Sequence, residues 1–158
     1  MRREWKMKKG LQVVGVVVLV GLLTACGSSD KSFDKQGIDE ISYTTGNSSA
    51  NITYDVKYTE ENVSLSVDEF VSGESSQSDY TISKDEFDEL VAILNDNNAY
   101  EWKDYNESSG AEGAQGFNLY ITGDDFDYLA YGNGEFPDGY DEFAKDMDDF
   151  FAKIVDAK

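Results

Sequence analysis

Two apolar periodicities alternate along this chain, and that alternation limits the fold more than any other feature. Ile52, Tyr54, Val56 and Tyr58 are separated by Thr53, Asp55 and Lys57. Val63, Leu65 and Val67 repeat the pattern after the turn residues Glu60-Glu61-Asn62. A period of two marks a strand with one buried face, and a short polar turn joins two such strands into a hairpin. A second hairpin is predicted where Phe117, Leu119 and Ile121 alternate, Gly123-Asp124-Asp125 turns the chain, and Phe126, Tyr128 and Ala130 alternate on the return. Between the hairpins the period changes. Phe87, Leu90, Val91 and Leu94 fall at helical spacing behind Ser83 and Glu86, which stand three apart as in a capping box. That spacing predicts a helix over 84–95, ended by Asp96-Asn97-Asn98. Tyr140, Phe143, Met147, Phe150, Phe151 and Ile154 define a second amphipathic helix. A first strand is expected over 38–45, and the stretches 73–79 and 108–116, rich in small and polar residues, read as loops. The order strand, hairpin, helix, hairpin, helix predicts an α+β domain, an antiparallel sheet of about four to five strands with two helices packed on one face. Asp85-Glu86-Phe87 and Asp141-Glu142-Phe143 sit at similar places near the two helix starts, which fits an old duplication or, more simply, chance, since only three residues agree in so acidic a chain.

The amino terminus follows another logic. A basic start, Met1 to Lys9, precedes the apolar run Leu11 to Leu23, in which Gln12 is the one polar side chain. As a helix that run is about 20 Å long, short of the roughly 30 Å of hydrocarbon in a bilayer. Small residues flank Cys26, and Ser28-Ser29-Asp30-Lys31-Ser32 follows. These are the parts of an export signal. Arg2-Arg3 stands without the rest of a twin-arginine motif. Leu23-Thr24-Ala25-Cys26 resembles the lipobox of bacterial lipoproteins. The resemblance implies cleavage before Cys26, a diacylglyceryl thioether on its sulfur, and fatty acyl chains such as palmitate as a membrane anchor. It places the protein at the cell membrane or outer envelope, facing away from the cytoplasm. The expected layout is a signal peptide over 1–25, a lipidated cysteine and flexible tether over 26–37, and a single domain over 38–158. The likeness beyond the signal is one of general organisation, to small uncharacterised envelope lipoproteins.

Charge and composition then exclude whole classes of function. The net charge is −19, and with the five basic residues and one acidic residue of the signal removed it becomes −23. Such a field repels nucleic acid and anionic headgroups, so nucleic-acid binding is excluded and attachment must come through the lipid. The sequence has no histidine, and Cys26 is its only cysteine. No Ser-His-Asp or Cys-His relay, no histidine–cysteine zinc site and no internal disulfide can be built. No cofactor and no metal is expected. Asp104, Asn106 and Ser108 begin like an EF-hand loop, but Ser109 and Gln115 stand where its glycine and bidentate glutamate belong. Asp and Asn elsewhere suit turns.

Aromatic residues are the remaining candidates. Tyr100, Trp102 and Tyr105 follow the first helix, Tyr128 and Tyr131 fall on the last predicted strand, and Tyr140 lies beyond Pro137. Aromatic rings beside carboxylates hold sugars or cations, while packing in the core is the competing use of the same residues. The expected role is a non-catalytic binding or accessory module for a basic protein, a basic peptide or a glycan. Two alternatives stay open. A carboxylate-dependent glycan hydrolase needs two acids roughly 5–10 Å apart in a cleft. A structural subunit of an envelope complex needs an exposed apolar patch on the sheet face opposite the helices.

Overall fold

The computed structural model describes residues 32–157. The signal, the lipobox Leu23-Thr24-Ala25-Cys26 and the start of the tether lie outside the described residues. The elements run β1 (Ile38–Gly46), β2 (Ala50–Tyr58), β3 (Val63–Val71), β4 (Glu74–Ile82), α1 (Lys84–Asp96), β5 (Asn106–Ser108), β6 (Gly116–Gly123), β7 (Phe126–Asn133) and α2 (Tyr140–Asp156). The strands form one sheet in the order β4-β3-β2-β1-β6-β7-β5. Every neighbouring pair is antiparallel except β5 and β7, which are parallel.

The domain is α+β, but the expected sheet was too small and too uniform. It has seven strands among the described residues, and it is mixed. The largest correction is β4, whose residues 74–79 fall in the stretch 73–79 expected as a loop. Most of its nine residues are hydrophilic because it is an edge strand, and only Ile82 is buried. The turn before it explains how so polar a segment pairs. Ser72 (φ 53°) and Gly73 (φ 94°) both lie in the left-handed region, as a tight two-residue hairpin requires, and Val71 pairs with Glu74 across them. The other added strand, β5, has three exposed residues and carries no periodic signal.

Both helices lie on one face of the sheet. Inward-facing Tyr43, Tyr54 and Tyr58 meet Phe143, Phe151 and Phe87. The tightest of these contacts is Tyr54 on Phe151, parallel rings 3.9 Å apart. No polar or charged residue is buried among the described residues. The opposite sheet face carries Ser42, Thr44, Thr53 and Asp55, with Tyr120 and Leu129 as exposed neighbours across β6 and β7. It is neither a broad apolar patch nor uniformly charged.

The start of α1 is closed as its sequence requires. The Glu86 amide donates to the Ser83 hydroxyl at 3.1 Å, and the Ser83 amide donates to the Glu86 carboxylate at 2.6 Å. Ser83→Ala should cost about 1 kcal/mol of stability, visible as a lower thermal midpoint with unchanged helix content. Ahead of β1, the Phe33 amide donates to the Asn95 side-chain oxygen at 2.7 Å, and the Asn95 amide group donates back to the Phe33 carbonyl at 3.1 Å. The Phe33 ring meets Tyr128 edge-on at 5.1 Å. Packing therefore begins at Phe33, inside the stretch 26–37 expected as tether.

Candidate functional site

The six aromatics singled out from the sequence do not form one platform. Trp102, Tyr105 and Tyr140 gather around the buried Phe117, at 6.3, 6.3 and 4.5 Å between ring centres. The Trp102 indole N–H donates to the Asp138 carbonyl at 3.2 Å, and the Tyr140 hydroxyl shares a hydrogen bond of 3.1 Å with that of Tyr43. Tyr128 is buried and donates to the Ala99 carbonyl at 2.5 Å. Tyr100, half-buried, donates to the Asn98 side chain at 2.9 Å. With Tyr128, Phe33 and Phe126 it lines an open hollow of about 610 Å³. Tyr131 stands apart, on a groove of about 410 Å³ at one end of the polar sheet face, among Asn47, Asn51, Asn118 and Asn133. Trp102, Tyr128 and Tyr140 thus serve the core, and Tyr100 and Tyr131 reach separate concavities.

A third concavity is built from residues the sequence did not single out. Val56, Val63 and Leu65 are buried beneath the helices, but toward Ile52, Glu69 and Ser76 the inward side of β2, β3 and β4 is open beside the carboxyl-terminal half of α2. The result is a cleft of about 370 Å³. Ile52, Val67, Ala152 and Val155 give it apolar walls. Tyr54 and Tyr80 add aromatic surface, and Glu69, Asp148 and Asp156 supply three carboxylates. No lysine lines it. The strand register places these groups together. Tyr54 pairs with Val67, Ile52 with Glu69, Val67 with Ser78 and Leu65 with Tyr80, all on the inward side.

Tyr54 is the key residue here. Its side chain is 9% exposed. Of the four buried tyrosines, Tyr43, Tyr128 and Tyr140 have hydrogen-bonded hydroxyls, and Tyr54 has no hydrogen-bond partner among the described residues. Burial, then Asp148, then Glu69 push this phenol up to about 12, so its hydroxyl lies within the fields of carboxylates from both walls. Asp148 belongs to an exposed residue, yet its carboxyl is held above the ordinary range, by desolvation first and by Asp149 second. The fold therefore disfavours its ionised form relative to the unfolded chain. Stability contributed by this group falls as pH rises from the ordinary carboxylate value through the raised one. Asp148→Asn should raise the thermal midpoint at pH 7 by about 1–3 °C, a small effect because solvent screens the group. The gain should vanish on acidification below about pH 4, where the wild-type carboxyl is protonated too. A midpoint difference that grows toward low pH would contradict this.

The cleft could not be read from the sequence because one wall is β4, and the stretch 73–79 looked like a loop. Tyr54 was legible as an inward residue of a strand, but nothing local shows that its hydroxyl lacks a partner. The Ser72-Gly73 pair was the available signal, since Ser-Gly between two extended segments marks a hairpin.

Among the described residues, no three His, Cys, Asp or Glu side chains come together as a metal site. No helix among them is long and apolar enough to cross a membrane. In comparisons with known proteins, the chain matches no family model and no curated protein.

Proposed function

We propose that this chain is a lipid-anchored envelope protein, moored through Cys26, whose α+β domain is a non-catalytic binding module for a basic partner. The observation that supports this reading most is the distribution of charge over the folded domain. Lys35, Lys57, Lys145 and Lys153 pair with Asp88, Glu40, Asp149 and Glu89. These four pairs leave most of the carboxylates without a cation, and the cleft beside α2 concentrates three of them against apolar and aromatic walls. Uncompensated charge of one sign around a low-dielectric cleft attracts ligands of the other sign.

A glycan hydrolase is the weaker reading. Its acid must hold a proton at neutral pH inside an apolar pocket. Glu69, Asp148 and Asp156 are all exposed residues at the rim of the cleft.

The test is capture of envelope proteins on the immobilised domain at low salt and again at high salt. Basic proteins should be retained at low ionic strength and released as the Debye length shrinks from about 10 Å toward 3 Å. Recovery of only neutral or acidic proteins, at either ionic strength, would defeat the proposal.

A further inference from the structure

We propose that the cleft between α2 and the β2–β3–β4 end of the sheet is a site for one lysine or arginine side chain of a partner protein, its cationic head held by Glu69, Asp148 and the Tyr54 hydroxyl. This rests on the reading that the partner is basic, and it names the place and the chemical group.

Four observations converge. The cleft, about 370 Å³, is at the small end of the range for ligand pockets, which suits a single long side chain. Its walls are of two kinds. Ile52, Val67, Ala152 and Val155 offer apolar contact to a methylene stem, and the carboxylates of Glu69, Asp148 and Asp156 stand around it. Long cationic side chains have this division, an apolar stem and a charged tip. None of the three carboxylates is in an ion pair among the described residues, since the lysines that pair do so elsewhere. Last, Tyr54 is the one buried tyrosine whose hydroxyl makes no hydrogen bond among the described residues, and since no fully buried side-chain polar atom there lacks a partner, that hydroxyl opens to the cleft. An ammonium has three N–H donors and no acceptor, and a guanidinium has five. Either head needs several acceptors converging from different directions. Glu69 from β3 and Asp148 from α2, both near enough to act on the Tyr54 phenol, provide such a set with its oxygen.

The geometry also fixes how Tyr54 takes part. One face of its ring is covered by Phe151 at 3.9 Å. The inward rows of the sheet flank the ring on either side. Its contribution is therefore the oxygen, and a cation over the ring face is not the mode. Edge strand β4 borders the cleft through Ser76, Ser78 and Tyr80, so an extended partner lying along that edge brings a side chain to the opening.

The experiment uses the full chain purified from membranes in a neutral detergent. The probe is a fluorescent decapeptide of alternating lysine and serine, with its fully Nε-acetylated counterpart as control. Anisotropy at low salt should show binding of the lysine peptide and at least tenfold weaker binding of the acetylated one. Glu69→Gln and Asp148→Asn should each weaken binding about tenfold, as removal of a charge-assisted bond does. Tyr54→Phe keeps the ring and its stacking and should weaken binding about threefold to tenfold. Circular dichroism verifies that each variant folds, and Glu69 and Asp148 are exposed positions where folding is tolerant. The distant variants Glu112→Gln and Asp125→Asn remove the same charge and should bind as wild type does. Equal losses from the distant and the cleft variants would mean diffuse attraction, overturning the site while leaving the basic partner standing. Wild-type affinity in Tyr54→Phe, or equal binding of the acetylated peptide, would also overturn it. No binding of the lysine peptide by the wild type at low salt would remove the basic-partner reading itself.

Discussion

Phe143→Ala is expected to lower the stability of the domain by about 3–5 kcal/mol, the usual range for truncating a buried phenylalanine. Phe143 is completely buried in the stripe of α2 that faces the sheet. It meets Tyr43 edge-on at 5.5 Å and Trp102 edge-on at 5.1 Å, with Tyr140 at 6.1 Å. Its ring thereby joins three separate parts of the chain, β1, the segment after α1, and the start of α2. Edge-to-face pairs add to the burial of area, so several favourable contacts vanish with one side chain. The walls cannot close over the space, because Tyr43 and Tyr140 are fixed to each other by their hydroxyls. A domain of this size has about 5–15 kcal/mol in total, so the variant should be marginal at 37 °C. Urea unfolding measures it, as a lower midpoint at nearly constant slope. A loss below about 1 kcal/mol would mean that α2 does not pack on β1 as described.

The second large effect concerns location. Cys26→Ser should move the protein from the membrane fraction to the soluble fraction, a change in partition of more than about a hundredfold. Each buried methylene contributes about 0.8 kcal/mol, and two chains anchor stably where one does not. The charge of the domain opposes a second, electrostatic attachment. Its excess of carboxylates repels anionic headgroups, so a high-salt wash should not release the wild type. Mass spectrometry of the native protein should find the residues before Cys26 gone and a lipid mass on the new terminus. An intact amino terminus with a free thiol would end the lipoprotein reading.

Much of the fold was legible because the burial pattern and the sequence pattern agree residue by residue. Val63, Leu65 and Val67 alternate in sequence and are buried in the sheet. Phe87, Leu90, Val91 and Leu94 have helical spacing and are the buried residues of α1. The pattern failed where burial did not supply it. Strand β4 is exposed along most of its length, so its extended form comes from pairing with β3 and from the Ser72-Gly73 turn, neither of which is an apolar period. The site was less legible than the fold. Aromatic residues near each other in sequence, such as Tyr100, Trp102 and Tyr105, were natural candidates, but Trp102 is committed to the core and Tyr105 stacks on Phe117. The cleft instead joins Tyr54, Glu69 and Asp148, which are far apart along the chain and meet only through sheet register and the angle of α2. Whether a hydroxyl finds a partner in the fold or opens to a cleft, as that of Tyr54 does, is a property of three-dimensional surroundings and leaves no mark in local composition.

The clasp between Phe33 and Asn95 bears on how a moored domain would stand. From Cys26 to Phe33 the backbone can reach at most about 25 Å, so the bilayer would never be far from the β7 flank against which Phe33 rests. Five strand spacings, about 24 Å, separate β7 from β4. Fastening at one flank would hold that side down and turn the β4 border of the sheet outward, toward passing traffic rather than toward the lipid.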